Sequence, residues 1–349
     1  MPSFATYLHP HTAYTSKPVD QIRFMGHSYP HFAQVRIGLA EALADYPTIP
    51  ERKAEFDDYL CVHTQEYLTK LGLMAADEHV EEPPRLSAEC TGFEYCLPGY
   101  LYGLGGMLEA VDQMRAGTLD RAYCFSLGGH HAYPDWGHGY CLLNPQAAAA
   151  RYAQTQGFER VLIVDWDIHH GDGTQFIFAN DPTIYCLSIH SGLDLYMTAM
   201  RVMKNGTTTA GEEVGHCNIP LLDAFYTDES FAKMDLPGEF YHTAESIPLF
   251  RSALEQIPWT PDLICIFSGY DSHKDDCGGR ITNWTNNDYK TLTRSVIELA
   301  ERADCPILSV HGGGYKLPVT IPAAAAHVEV LAGEYRSRLW GRVLPHASE

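Results

Sequence analysis

Val161-Leu162-Ile163-Val164 is apolar at four consecutive positions and then runs directly into Asp165. Successive side chains of a strand point to opposite faces, so this run has no face to offer to water and must be covered on both sides. Similar runs occur near 122–127, 183–189, 262–268 and 306–310. Helical patterns lie between them at about 30–46, 98–115, 144–157, 239–257 and 285–303, the last with Tyr289, Leu292, Val296 and Leu299 at helical spacing behind Asn286, Asn287 and Asp288. Pro248 should kink the 239–257 pattern or restart it after Ser246. The alternation predicts an α/β fold: one domain over 1–349, three-layer α/β/α, with a doubly wound, mostly parallel central sheet. The stretches 77–99 and 191–218 read as long irregular loops.

The first run ends in Asp165-Trp166-Asp167-Ile168-His169-His170-Gly171-Asp172-Gly173, three carboxylates and two imidazoles within nine residues. On strand alternation Asp165, Asp167 and His169 would share one side at the carboxyl end, where ligands of open α/β sheets gather. Hard oxygen and borderline nitrogen donors together read as a metal site, since unpaired buried polar groups are costly.

Three more constellations follow other apolar runs. Gly128-Gly129-His130-His131 offers a general base and an electrostatic partner, with Asp165 and Asp172 available to orient the rings. Ser268-Gly269-Tyr270-Asp271 offers Asp271 to complete a three-ligand set with Asp167 and His169, leaving the open position of a catalytic site. His311-Gly312-Gly313-Gly314-Tyr315 lets backbone approach a ligand closely and offers Tyr315 as a donor to a developing oxyanion. It lacks GxGxxG and Walker spacing, which argues against phosphate binding.

A formal charge of -20 disfavours nucleic acid as a partner and is compatible with cationic ligands. Ten cysteines without a CxxC pair, several inside apolar runs as at Cys124, Cys186 and Cys265, suit a reducing, cytoplasmic setting. The start Met1-Pro2-Ser3-Phe4-Ala5-Thr6-Tyr7 has no export signature, and no run is apolar enough to span a membrane.

Taken in order, Gly-Gly-His-His, Asp-x-Asp-x-His-His-Gly-Asp-Gly, Ser-Gly-Tyr-Asp and Gly-Gly-Gly-Tyr resemble the histone deacetylase superfamily over about residues 94–325, closest to its class II-like, bacterial and acetylpolyamine amidohydrolase branch. The resemblance implies an arginase/deacetylase-like fold and a zinc-dependent hydrolase acting on an acylated amine such as acetyl-lysine or an acetylpolyamine. Asp167, His169 and Asp271 would bind zinc, though Fe(II) would fit the same ligands. His131 would act as general base and then general acid, held by Asp172. His130 would be the electrostatic partner, oriented by Asp165, and Tyr315 would share the substrate carbonyl oxygen with the metal.

The resemblance also implies an acyl-chain tunnel walled by Gly139-Tyr140, with Tyr196 as candidate for the opposite wall, and a potassium site using Asp165, backbone carbonyls of Asp167 and His169, and a Ser188-Ile189 turn. Glu89 or Glu94 is the candidate rim acid for a remote substrate cation. The chain departs from the family pattern in two places. The segment Gly26-His27-Ser28-Tyr29-Pro30 to Arg36 leaves the inner-cavity arginine unassigned, and Ser191-Gly192-Leu193-Asp194-Leu195-Tyr196-Met197 replaces the usual Pro-Gly-Thr-Gly stretch. An arginase-like binuclear ureohydrolase and a non-catalytic metal-containing binding protein are the rival readings. A homo-oligomer is compatible with the sequence.

Overall fold

A computed structural model of the chain describes residues 3–18, 29–193, 216–227, 229, 230, 233 and 239–333. Its strands are β1 (Phe4–Tyr7), β2 (Arg85–Leu86), β3 (Arg121–Cys124), β4 (Trp136–Gly137), β5 (Val161–Asp165), β6 (Ile184–Ser191), β7 (His216–Leu221), β8 (Leu263–Ser268) and β9 (Ile307–His311). β2 and β4 pair separately, and the other seven form one sheet in the order β1-β3-β9-β8-β5-β6-β7. All pairings in that sheet are parallel, so its carboxyl ends lie along one edge.

The five strands expected from sequence form its contiguous interior. The two it did not reveal, β1 and β7, are its edges. An edge strand need not be apolar on both faces, and only there is a proline such as Pro220 of β7 tolerated, because no neighbour needs its N–H. Of the run at 122–127, only Ala122, Tyr123 and Cys124 lie in the strand. Ser188 and Ile189 lie within β6 and not in a turn, which corrects that expectation.

Both faces of the sheet are covered. Val161 and Ile163 belong to the core shared with helices Gln65–Ala75, Leu97–Arg115 and Pro145–Thr155. Leu162 and Val164 belong to the opposite core, under Tyr29–Ala42, Ser246–Glu255, Asn286–Ala303 and Leu317–Leu331. Helix Asn286–Ala303 starts at Thr285, whose N–H and hydroxyl are taken by the Asp288 carboxylate. Pro248 lies in the first turn of a helix that begins at Ser246, so the pattern restarts there.

Among the described residues, three α-helices escaped the sequence reading: Gln65–Ala75, Asp172–Phe178 and Leu317–Leu331. The last contains Pro318 in its first turn and Pro322 inside. Packing of Ala323, Ala324, Val328 and Leu331 outweighs the proline's local cost. No helix of the described residues is long and apolar enough to cross a membrane.

Candidate metal and catalytic site

The donors do not converge by strand alternation, because β5 stops at Asp165 and Asp167 and His169 lie beyond it. Two carboxylates turn the chain instead. Asp165 Oδ1 accepts the N–H of Asp167 (2.9 Å), and Asp167 Oδ1 accepts the N–H of His169 (3.0 Å). Each bond spans two residues, as in the local turns that Asp side chains favour.

Beyond β8, Asp271 closes on the same point: its Oδ1 accepts the Ile168 N–H at 2.9 Å, and its Oδ2 lies 3.0 Å from His169 Nδ1. His169 Nδ1 is also 3.1 Å from Asp167 Oδ1. Burial, then the neighbouring Asp167 charge, pushes the Asp271 carboxyl up to about 8. Burial alone would lower His169, but the two carboxylates hold its pKa well above the usual imidazole range. Glycines make the room: a Cβ on Gly313 would lie 2.6 Å from Asp167 Oδ2 and 2.8 Å from Asp271 Oδ2. The N–H of Gly313 donates to Asp167 Oδ2 (2.7 Å).

The histidine pair arrives from the loop after β3. His130 Nδ1 donates to Asp165 Oδ2 at 2.9 Å, and the ring stacks on Phe267. His131 Nδ1 donates to Asp172 Oδ1 at 2.7 Å, the tautomer in which Nε2 carries the lone pair that base chemistry needs. Burial and the charge of His130 lower the His131 pKa to about 3, so the ring is neutral. Asp172 is held below the usual carboxylate range by its contacts with His131 and His138, which outweigh burial.

Tyr315 follows β9 on the glycine run, its ring edge-on to His169 with centroids 6.3 Å apart. Tyr315 is 38% exposed as a residue, but desolvation at its phenol end, then the Asp271 and Asp167 charges, raise its pKa well above the usual value.

Two polar groups of this site were not singled out from sequence. Asp276 Oδ2 accepts the N–H groups of Tyr315 (3.1 Å) and Lys316 (2.9 Å), fixing the tyrosine loop. His138 Nε2 lies 3.3 Å from Asp172 Oδ2, with both side chains fully buried. Neither carries a motif, since each depends on a partner more than thirty residues away.

Gly139 takes φ +60, and a Cβ there would lie 2.4 Å from the His131 ring. Tyr140, at φ 60, is partly buried against Phe93. Glu89 Oε1 accepts the Gly139 N–H (3.0 Å), which brings this acid to the expected wall. Glu94 is not on a rim: it is buried and accepts the Gly92 N–H at 2.9 Å. Tyr196 lies outside the described residues, as does most of 191–218. Ser188 sits beside Asp165 in register, with its Oγ 2.8 Å from His190 Nδ1, and the Ser191 N–H donates to Ile168 O (2.8 Å), joining β6 to the metal loop. Arg36 Nη1 donates to Leu8 O (3.1 Å) at the end of β1.

A histone deacetylase domain model matches residues 31–331. The chain is 31% identical over 336 residues to the acetoin utilization protein AcuC of Bacillus subtilis (strain 168), covering 87% of this chain and 78% of that relative. It is 29% identical over 282 residues to a probable deacetylase of Archaeoglobus fulgidus, covering 77% and 69%. Among solved structures, the HD domain of HDA15 superposes with a TM-score of 0.73 at 23% identity, covering 96% of this chain and 91% of that one. An acetylpolyamine aminohydrolase from Burkholderia pseudomallei gives 0.72 at 22% identity, covering 95% and 99%.

Proposed function

Because the chain belongs to the histone deacetylase family, we propose that it is a zinc-dependent amidohydrolase that removes an acetyl or other acyl group from an acylated amine, such as acetyl-lysine or an acetylpolyamine. The observation that carries this reading is the convergence of Asp167, His169 and Asp271 beside a neutral His131 held by Asp172. The residues fit a divalent cation: two buried carboxylates, Asp167 and Asp271, meet one imidazole nitrogen of His169 at 3.1 and 3.0 Å. Zinc suits such a set, and Fe(II) would too.

Bound there, the cation would polarise the amide carbonyl and acidify the attacking water. The chain's own groups do the rest. His131 Nε2 takes the water proton and later returns it to the departing amine, while Asp172 holds the ring in the required tautomer. His130, oriented by Asp165, sets the charge beside it. Tyr315 donates its phenol proton to the carbonyl oxygen as negative charge grows there. Gly139 and Tyr140 line the acyl tunnel, Glu89 braces that wall, and Tyr196 remains the candidate opposite it.

Asp165, Asp167, His169, Ser188 and Ile189 are proposed to hold a structural potassium ion. All ten cysteines are free thiols, which supports a reducing, cytoplasmic setting. The match to the histone deacetylase domain favours this reading over a binuclear ureohydrolase. The Asp172-oriented His131 beside the carboxylate–imidazole cluster supports catalysis over binding alone.

The experiment is turnover of an acetyl-lysine peptide, N-acetylputrescine and N-acetylspermidine, with metal content determined on the same sample. Hydrolysis of at least one by protein holding one zinc per chain is expected. Zinc-loaded protein that hydrolyses no acylated amine in a broad panel would refute the activity, and two manganese ions per chain would restore the ureohydrolase.

A further inference from the structure

We propose that the Cys277 thiol is a fourth protein ligand for the metal, so that the site alternates between a thiolate-closed form and a substrate-open one. This rests on the metal-site reading above and adds a ligand to it. The Cys277 sulfur, a His169 ring nitrogen and an Asp271 carboxylate oxygen all lie within 4.8 Å of one another. Zinc holds sulfur at about 2.3 Å and oxygen or nitrogen at about 2.0–2.2 Å, so tetrahedral donors are about 3.6 Å apart and an inward adjustment of about 1 Å brings these three to bonding distance, with Asp167 Oδ1, 3.1 Å from His169 Nδ1, as the remaining donor.

A second observation points into the same space. Asp271 is fully buried, and its Oδ2 faces the His169 ring nitrogen at 3.0 Å, so the carboxylate and imidazole of the trio already share one point. The backbone that carries the thiol is tied to the site's own scaffold. Asp276, which fixes the Tyr315 loop, accepts the Cys277 N–H at 2.7 Å through Oδ1. The next residue, Gly278, donates its N–H to Asp271 O at 2.9 Å, tying the cysteine turn to the ligand. Cys277 is exposed, so its side chain can move toward the donors without unpacking a core.

Three protein ligands leave a zinc position open for water or substrate, and four close it. A thiolate arriving from Cys277, its proton released to solvent, would compete for that open position with the water and the substrate carbonyl. Borderline-soft zinc favours sulfur, whereas the two carboxylates alone would also suit harder cations.

The test uses the full chain loaded with Co(II) in place of zinc. Wild type should show sulfur-to-cobalt charge-transfer absorption in the near ultraviolet, absent from Cys277→Ser and Cys277→Ala. Iodoacetamide labelling of Cys277, followed by peptide mass spectrometry, should be slowed about tenfold or more by the metal. Exposed Cys61 is the internal reference and should label at one rate throughout. One cobalt per chain, lost in Asp271→Ala but giving no charge-transfer band and no protection, would overturn the thiol ligand and leave the metal site standing. Failure of cobalt to bind wild type would overturn both.

Discussion

Replacing Gly139 by alanine should cripple turnover without removing the metal. Its φ is +60, a conformation that costs a residue with a Cβ roughly 1–2 kcal/mol. The new methyl would lie 2.4 Å from His131 Cδ2 and 2.8 Å from Cγ, about 1 Å inside ordinary contact. Relief is restricted on both sides. The Gly139 N–H is held by Glu89, and the His131 ring is held at 2.7 Å by Asp172 in full burial. The ring must therefore yield, and a misplacement of about 1 Å in a catalytic group costs on the order of 100-fold in rate. The expected result is kcat reduced about 100-fold, a small fall in Tm and unchanged zinc content. The assay is steady-state kinetics on the best substrate of the acetylamine panel, with metal analysis and thermal unfolding on the same preparations. Near wild-type kcat in a folded, zinc-loaded Gly139→Ala would show that the contact does not set the position of His131.

Tyr315→Phe should keep fold and metal and lose about 100- to 1000-fold in kcat, as loss of one oxyanion donor typically does; a loss below about tenfold would remove the phenol from the mechanism. His131→Ala should likewise retain metal and lose most turnover. Asp167→Ala should abolish zinc binding, whereas Asp172→Ala should spare it and lower kcat; equal zinc loss in both would break the division of labour between them. Stability should fall with acid because His327, bonded through both ring nitrogens to Thr293 (2.7 Å) and Ser309 (2.8 Å), is pushed down to about 3 by burial and then by His311. Its folded pKa lies below the unfolded value of about 6.5, so the unfolded chain takes the proton first; the stabilisation is complete above about pH 6.5 and drains away toward about pH 3, on the order of a few kcal/mol in all. Urea midpoints measured from about pH 8 to about pH 5 should drop in wild type and less steeply in His327→Gln, and parallel curves for the two would refute that assignment.

Much of the architecture could be read from local pattern because burial on both faces leaves a local signature. The five interior strands are apolar at successive positions whatever their neighbours are. The edges β1 and β7 are buried as well, but Thr6 in one and His216, Asn218 and Pro220 in the other interrupt the apolar run that would have marked them. The helix Leu317–Leu331 was hidden for another reason: its prolines argue locally against a helix that tertiary packing enforces. At the site, residue types and strand-end positions announced metal chemistry, but the pleat did not bring the donors together. Asp165 and Asp167 do so by bending the chain onto their own carboxylates.

By itself, then, the sequence determined the layered parallel fold, the candidate catalytic residue types and their position after apolar strands, because hydrophobic period and short motifs are properties of neighbouring residues. Only the tertiary structure decided that β3, β5, β8 and β9 lie close enough for His131, Asp172, Asp271 and Tyr315 to share one site. It alone set Asp276 under the tyrosine loop, Glu89 on the Gly139 N–H and Cys277 beside the ligands. Those contacts join segments far apart in the chain, and the order in which strands pair is a global outcome of packing that no local pattern encodes.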